Sequence, residues 1–119
     1  RRKTARFDEN EYILLLTLKA GEYTGSRVSD VDLFRIRNAM PHLAETLKKS
    51  LRPGDAVAQF SDSQYVILLS ACTYEGGMLA ANRIISKFYQ DHKVYRNLKI
   101  KIHIEKVKTA EHILNKYSG

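Results

Sequence analysis

Hydrophobic positions in this chain fall into blocks whose period switches between that of strands and that of helices. Residues 11–18, EYILLLTL, are apolar almost without a break, the pattern of a central strand covered on both faces. Residues 20–29 carry glycines and serines and read as a loop that delivers the chain to a helix, with Ser29 or Asp30 as its N-cap. Leu33, Ile36, Met40, Leu43, Leu47 and Leu51 then recur at helical spacing and form one apolar stripe. Pro41 lies inside that stripe. Because proline lacks an N–H and its ring crowds the preceding turn, a kink or break is expected near Ala39. Arg52-Pro53-Gly54-Asp55 ends the helix.

Two strands follow, over 55–61 and 64–71, joined by a tight hairpin at Asp62 and Ser63. The second is continuously apolar and therefore central, whereas the first alternates modestly and belongs nearer an edge. Thr73 caps a second helix running to about Gln90, with Leu79, Ala81, Ile84, Ile85 and Phe88 facing inward and Gly76-Gly77 weakening its first turn. Residues 98–107 alternate cleanly: Leu98, Ile100, Ile102 and Ile104 on one face, Lys99, Lys101, His103 and Glu105 on the other, as in a half-exposed strand. Residues 110–117 can add a short terminal helix. The order β-α-β-β-α-β describes an α+β, ferredoxin-like or nucleotide-cyclase-like layer, with helices packed on an antiparallel sheet whose first and third strands are central. The apolarity of those two strands further requires a cover on their second face, from a terminal segment, a partner subunit or a neighbouring domain.

At 119 residues and 44% hydrophobic content the chain makes one domain, with its core over about 11–107. It begins with Arg1 rather than Met and ends at Gly119, which suggests a piece excised from a longer protein whose other domains are its partners. The N-terminal residues lack the apolar segment of a secretory signal, and no run is long enough to span a bilayer, so a cytoplasmic location without membrane contact is expected. The single Cys72 follows an apolar run and reads as a small buried hydrophobe rather than a nucleophile. His42, His92, His103 and His112 are scattered without the short spacings of a zinc site, so no metal site is expected. A net charge of +7 favours anionic partners. The basic residues are nonetheless spread over both termini and the last strand, with no helix-turn-helix, RNP or zinc-finger pattern, and nucleic-acid binding through this domain is not expected.

The run from Leu51 and Arg52 through Asp55, Val57 and Phe60 to Ser61-Asp62-Ser63-Gln64-Tyr65 and Val66-Ile67-Leu68-Leu69 resembles the core of GGDEF domains, the diguanylate cyclases. In that family a leucine and an arginine close a long helix, an aspartate opens the next strand, and a Gly-Gly-Asp/Glu-Glu-Phe hairpin precedes an apolar strand. On this resemblance Ser61 and Asp62 stand at the two glycines, Ser63 and Gln64 at the two acids, and Tyr65 at the aromatic. The first strand ends Leu16-Thr17-Leu18-Lys19 where the family presents a metal-binding aspartate.

The family's reaction is a metal-assisted attack of a ribose hydroxyl on phosphorus, with Mg²⁺ held by carboxylates. Neutral Ser63 and Gln64 cannot supply that charge, and Ser61 and Asp62 place side chains where glycines let backbone approach a nucleotide. The resemblance therefore implies a degenerate module that is not an enzyme, with no catalytic residue, no metal and no cofactor. Asp62 is a carboxylate in the same hairpin and reads either as a weak cation ligand or as a polar turn residue. Arg52-x-x-Asp55 lies five residues before the signature, where many family members bind cyclic di-GMP. An arginine fork reads phosphate or a guanine edge, and an aspartate accepts from guanine N1 and N2. The same four residues also suit an ordinary helix-to-strand junction.

The reading that follows is a catalytically inactive regulatory or interaction module of a bacterial signalling or transcription-regulating protein, self-associating as a dimer through its apolar sheet. The alternative is a cyclic-dinucleotide or nucleotide receptor acting through Arg52 and Asp55. A slow nucleotide hydrolase lacks a convergent acid, base and metal set, and an unrelated ferredoxin-like nucleic-acid binder would lose affinity steeply with salt.

Overall fold

The computed structural model describes residues 10–20 and 30–107. The expected loop over 21–29 with its Ser29 cap, and the expected helix over 110–117, lie outside the described residues. Strands β1 (Asn10–Lys19), β2 (Ala56–Ser61), β3 (Gln64–Cys72) and β4 (Lys99–Lys106) form one antiparallel sheet in the order β2-β3-β1-β4. Helices α1 (Asp30–Ser50) and α2 (Tyr74–Asp91) pack on it, and a short 3-10 turn, Lys93–Tyr95, leads into β4. This is the ferredoxin-like layer that the pattern predicts, with β1 and β3 central and β2 at an edge. Among the described residues no helix is long and apolar enough to cross a membrane.

Register decides which residues form the core. Leu14 lies opposite Ile67 and Ile104, and Leu16 opposite Tyr65 and Ile102, so the even positions of β1 all point toward the helices. Leu14, Leu16, Leu18, Leu43, Leu47, Ile67 and Phe88 are fully buried there, each contributing about 1.5–3 kcal/mol relative to exposure. On the other face Ile13 remains 38% exposed and Leu15, Val66 and Leu68 are half-buried. Apolar in sequence, β1 thus alternates in burial. Both helices take the same side of the sheet, and no other helix of the described residues lies on its opposite face.

Three expectations change. α1 continues through Pro41 without a break. Pro41 and Arg37, whose carbonyl loses its usual partner, are both exposed, so water can satisfy that oxygen while buried Met40 and Leu43 hold the helix on the core. The Tyr65 hydroxyl also donates to the Met40 carbonyl at 2.9 Å, tying β3 to the turn that carries the proline. Leu33 is 39% exposed, so the inward stripe of α1 starts at Ile36. Leu79 is exposed, because the buried face of α2 runs through Gly77, Ala81, Ile84 and Phe88, and position 79 falls on its far side. Gly77 has a packing role besides: a Cβ there would come within 2.5 Å of Ile104 Cδ1, so a larger residue requires the Ile104 side chain to shift.

Because the helix is continuous and Pro41 is exposed, Pro41→Ala restores a backbone hydrogen bond at the cost of some chain stiffness in the unfolded state. A net stabilisation of about 1–2 kcal/mol is expected in urea unfolding; a destabilised variant would show that the proline is needed to shape α1.

Candidate functional site

The helix-to-strand junction is organised by one carboxylate. Arg52 and Asp55 close a turn in which the Asp55 N–H donates to the Arg52 carbonyl at 3.0 Å, with proline second and Gly54 third at φ +96°, the combination a type II turn requires. The Asp55 side chain is only 3% exposed. Its Oδ2 accepts from the Arg52 backbone N–H at 3.1 Å and from Arg52 Nε at 3.4 Å. Its Oδ1 accepts from the Ser70 N–H at 3.1 Å and the Ser70 hydroxyl at 3.4 Å. Burial alone would raise the Asp55 pKa, but the Ser70 and Arg52 N–H donors and the Arg52 charge outweigh it and hold the carboxyl below its usual 3.8. Both oxygens are thus committed to joining the end of α1 to β3.

Arg52 is placed differently. Its side chain is 55% exposed while Nη2 donates to the Ser70 carbonyl at 2.6 Å, so the guanidinium is oriented yet reachable. It borders a cavity of about 120 Å³ with Asp55, Leu69, Cys72, Gly76 and Arg83 among its lining. Cys72 is half-buried in that wall, in keeping with a small hydrophobe. Two arginines in the lining of one cavity suit an anion, and the volume suits a phosphate group rather than a whole nucleotide, whose pockets run to about 300 Å³ or more. Sequence reasoning found Arg52 and missed Arg83. The available signal was helical spacing, since Gly76, Ala80 and Arg83 share one face of α2.

At the other end of the sheet, the hairpin between β2 and β3 forms a closed network. The Ser61 hydroxyl donates to Gln64 Oε1 at 2.8 Å and accepts from the Ser63 N–H at 3.3 Å. Gln64 Nε2 donates to the Thr17 hydroxyl at 3.1 Å, and the Leu18 N–H donates to the Ser63 carbonyl at 2.8 Å. Thr17 and Gln64 are direct partners in the β1–β3 register. Asp62 points into solvent, its side chain 82% exposed and 3.7 Å from Arg37, a surface pair worth at most about 1 kcal/mol. Tyr65 is buried, and burial raises its pKa. The groove beside Thr17 and Gln64, about 360 Å³, is completed by Leu15, Lys19, Lys101 and His103. Two lysines and no carboxylate in this lining make the groove repel a divalent cation rather than hold one.

No family model matches the sequence, and no curated protein sequence does. Among solved structures, PelD from Pseudomonas aeruginosa, in complex with c-di-GMP, matches with a TM-score of 0.50 at 15% identity, over 96% of this chain and 39% of that one. At that identity the likeness speaks to the fold alone, an antiparallel sheet with helices packed on it, and this chain spans about 39% of the PelD chain it matches.

Asp55→Asn keeps the shape of the knot but loses the charge, and should cost about 1–3 kcal/mol at pH 7. Because the folded-state pKa is depressed, the contribution is present above the unfolded value of 3.8 and disappears as pH falls through the folded one. Urea unfolding at pH 7 and pH 3 should therefore show a gap between wild type and variant that narrows in acid. In the hairpin, Gln64→Leu leaves the Thr17 and Ser61 hydroxyls without their amide partner and should cost about 1–2 kcal/mol by the same measurement.

Proposed function

We propose that this chain is a catalytically inactive, GGDEF-like regulatory or interaction module of a larger bacterial signalling or transcription-regulating protein, working in the cytoplasm. One observation carries the reading: at the end of the first strand and in the hairpin, where the resemblance calls for metal-gripping carboxylates, Thr17 and Gln64 hydrogen-bond to each other. A neutral hydroxyl and amide satisfy one another without a cation, and the neighbouring lysines oppose one. The scaffold is kept while the charge that would activate a ribose hydroxyl is gone.

Its work is then association. Ile13, Leu15, Val66 and Leu68 form a contiguous apolar strip on the face of the sheet opposite α1 and α2, suited to a second copy or to another domain of the parent protein. Incubation with GTP and Mg²⁺ or Mn²⁺ should yield no cyclic dinucleotide by chromatography, and light scattering should show dimers that Leu15→Asp dissociates. Dinucleotide formation would overturn the inactive assignment, and a strict monomer at high concentration the associative one.

A second reading, a cyclic-dinucleotide receptor, is favoured by the exposed Arg52 guanidinium sharing a cavity with Arg83 and by the c-di-GMP bound to PelD. In it Arg52 and Arg83 contact a phosphate, while Asp55 orients Arg52 and can reach guanine only by giving up one of its own bonds. Calorimetry with c-di-GMP should give saturable heat that falls about tenfold or more in Arg52→Ala and Arg83→Ala, with circular dichroism unchanged; no heat with wild type eliminates this reading.

A further inference from the structure

We propose that His42, Glu45 and His92 form a binding site for one divalent transition-metal ion of the zinc class. His42 and Glu45 lie one turn apart on the same face of α1, and His92 caps the C-terminus of α2, where its N–H donates to the Phe88 carbonyl at 2.9 Å. One ligand atom from each, two imidazole nitrogens and a carboxylate oxygen, fall within 4.8 Å of one another. Tetrahedral ligands at 2.0–2.2 Å from zinc are separated by about 3.4 Å, so closure needs movements of about 1 Å. Turning the exposed Glu45 side chain and tilting the two rings supply them.

The surroundings favour this closure. The His42 and His92 rings lie 4.7 Å apart at 43°, and Phe88 and Tyr95, stacked 6.1 Å apart, back them with an apolar wall. Such a wall keeps the two imidazoles side by side and limits solvent access to the site. Aromatic packing accounts for the rings but not for a carboxylate within reach of both. Among the described residues, no ion pair or hydrogen bond engages the Glu45 carboxylate or either imidazole.

Two nitrogens and one carboxylate oxygen match zinc and its neighbours, whereas Mg²⁺ and Ca²⁺ seek six or more oxygens. Three protein ligands leave a fourth position for water. The ion joins α1 to the end of α2, two helices that otherwise meet only through side-chain packing.

The test uses tag-free full chain treated with chelator, titrated with zinc chloride by calorimetry and followed by thermal unfolding. One zinc per chain and a melting temperature raised by several degrees are expected, with no rise from magnesium. His92→Gln and Glu45→Gln, both at positions outside the fully buried core, should fold as judged by circular dichroism and bind zinc about tenfold more weakly or worse. His103→Gln, which removes the other His–Glu pair on β4, at 3.2 Å from Glu105, should leave binding unchanged. Absence of zinc binding by wild type, or binding that His92→Gln and Glu45→Gln leave intact, overturns the proposal.

Discussion

The antiparallel register of β1 against β3 is the constraint on which this molecule rests. With Leu16 opposite Tyr65 and Thr17 opposite Gln64, one residue type after another is assigned to a face. A slip of a single residue would bring Ile13, Leu15 and Thr17 under the helices and turn Leu14, Leu16 and Leu18 out, exchanging a fully buried leucine set for a mixed one. The same register that packs the core therefore also sets the Thr17–Gln64 bond at the tip. Fold and candidate site are two consequences of one pairing.

A neutral amide and hydroxyl at that tip satisfy each other's hydrogen bonds without a cation. Paired carboxylates repel each other and need a cation between them, whereas Ser61, Gln64 and Thr17 satisfy one another directly. Asp55 shows the complementary solution at the opposite end of β3. There a buried carboxylate is tolerated because four donors surround it, and its charge anchors the junction between α1 and the sheet. The exposed part of that junction is the Arg52 guanidinium, so the buried, structural member and the solvent-reachable member of the four-residue motif are different residues.

Much of the fold was legible because it repeats. The alternation over β4, the Thr73 cap, the Pro-Gly turn and the two-residue hairpin each follow from local chemistry and appear where the pattern puts them. Pro41 misleads because its cost depends on whether the abandoned carbonyl faces water, which spacing alone does not reveal. Leu79 misleads because an apolar residue signals burial only in phase with its neighbours, and position 79 lies across the helix from Gly77, Ala81, Ile84 and Phe88.

The candidate site was legible only in part. The hairpin and Arg52 were found because their residues are contiguous or closely spaced. The pairing of Arg83 with Arg52, the Thr17–Gln64 bond and the meeting of His42 with His92 join residues far apart in the chain; helical spacing puts Arg83 on one face of α2, but nothing local says what that face meets. By itself the sequence determined the elements, their order and the neutral Ser63 and Gln64 at the hairpin, since backbone preference and side-chain charge are properties of each residue and its near neighbours. Only the tertiary structure decided which distant groups share a cavity, a hydrogen bond or a cluster of imidazoles and a carboxylate, because those distances exist only once the sheet has paired and the helices have packed.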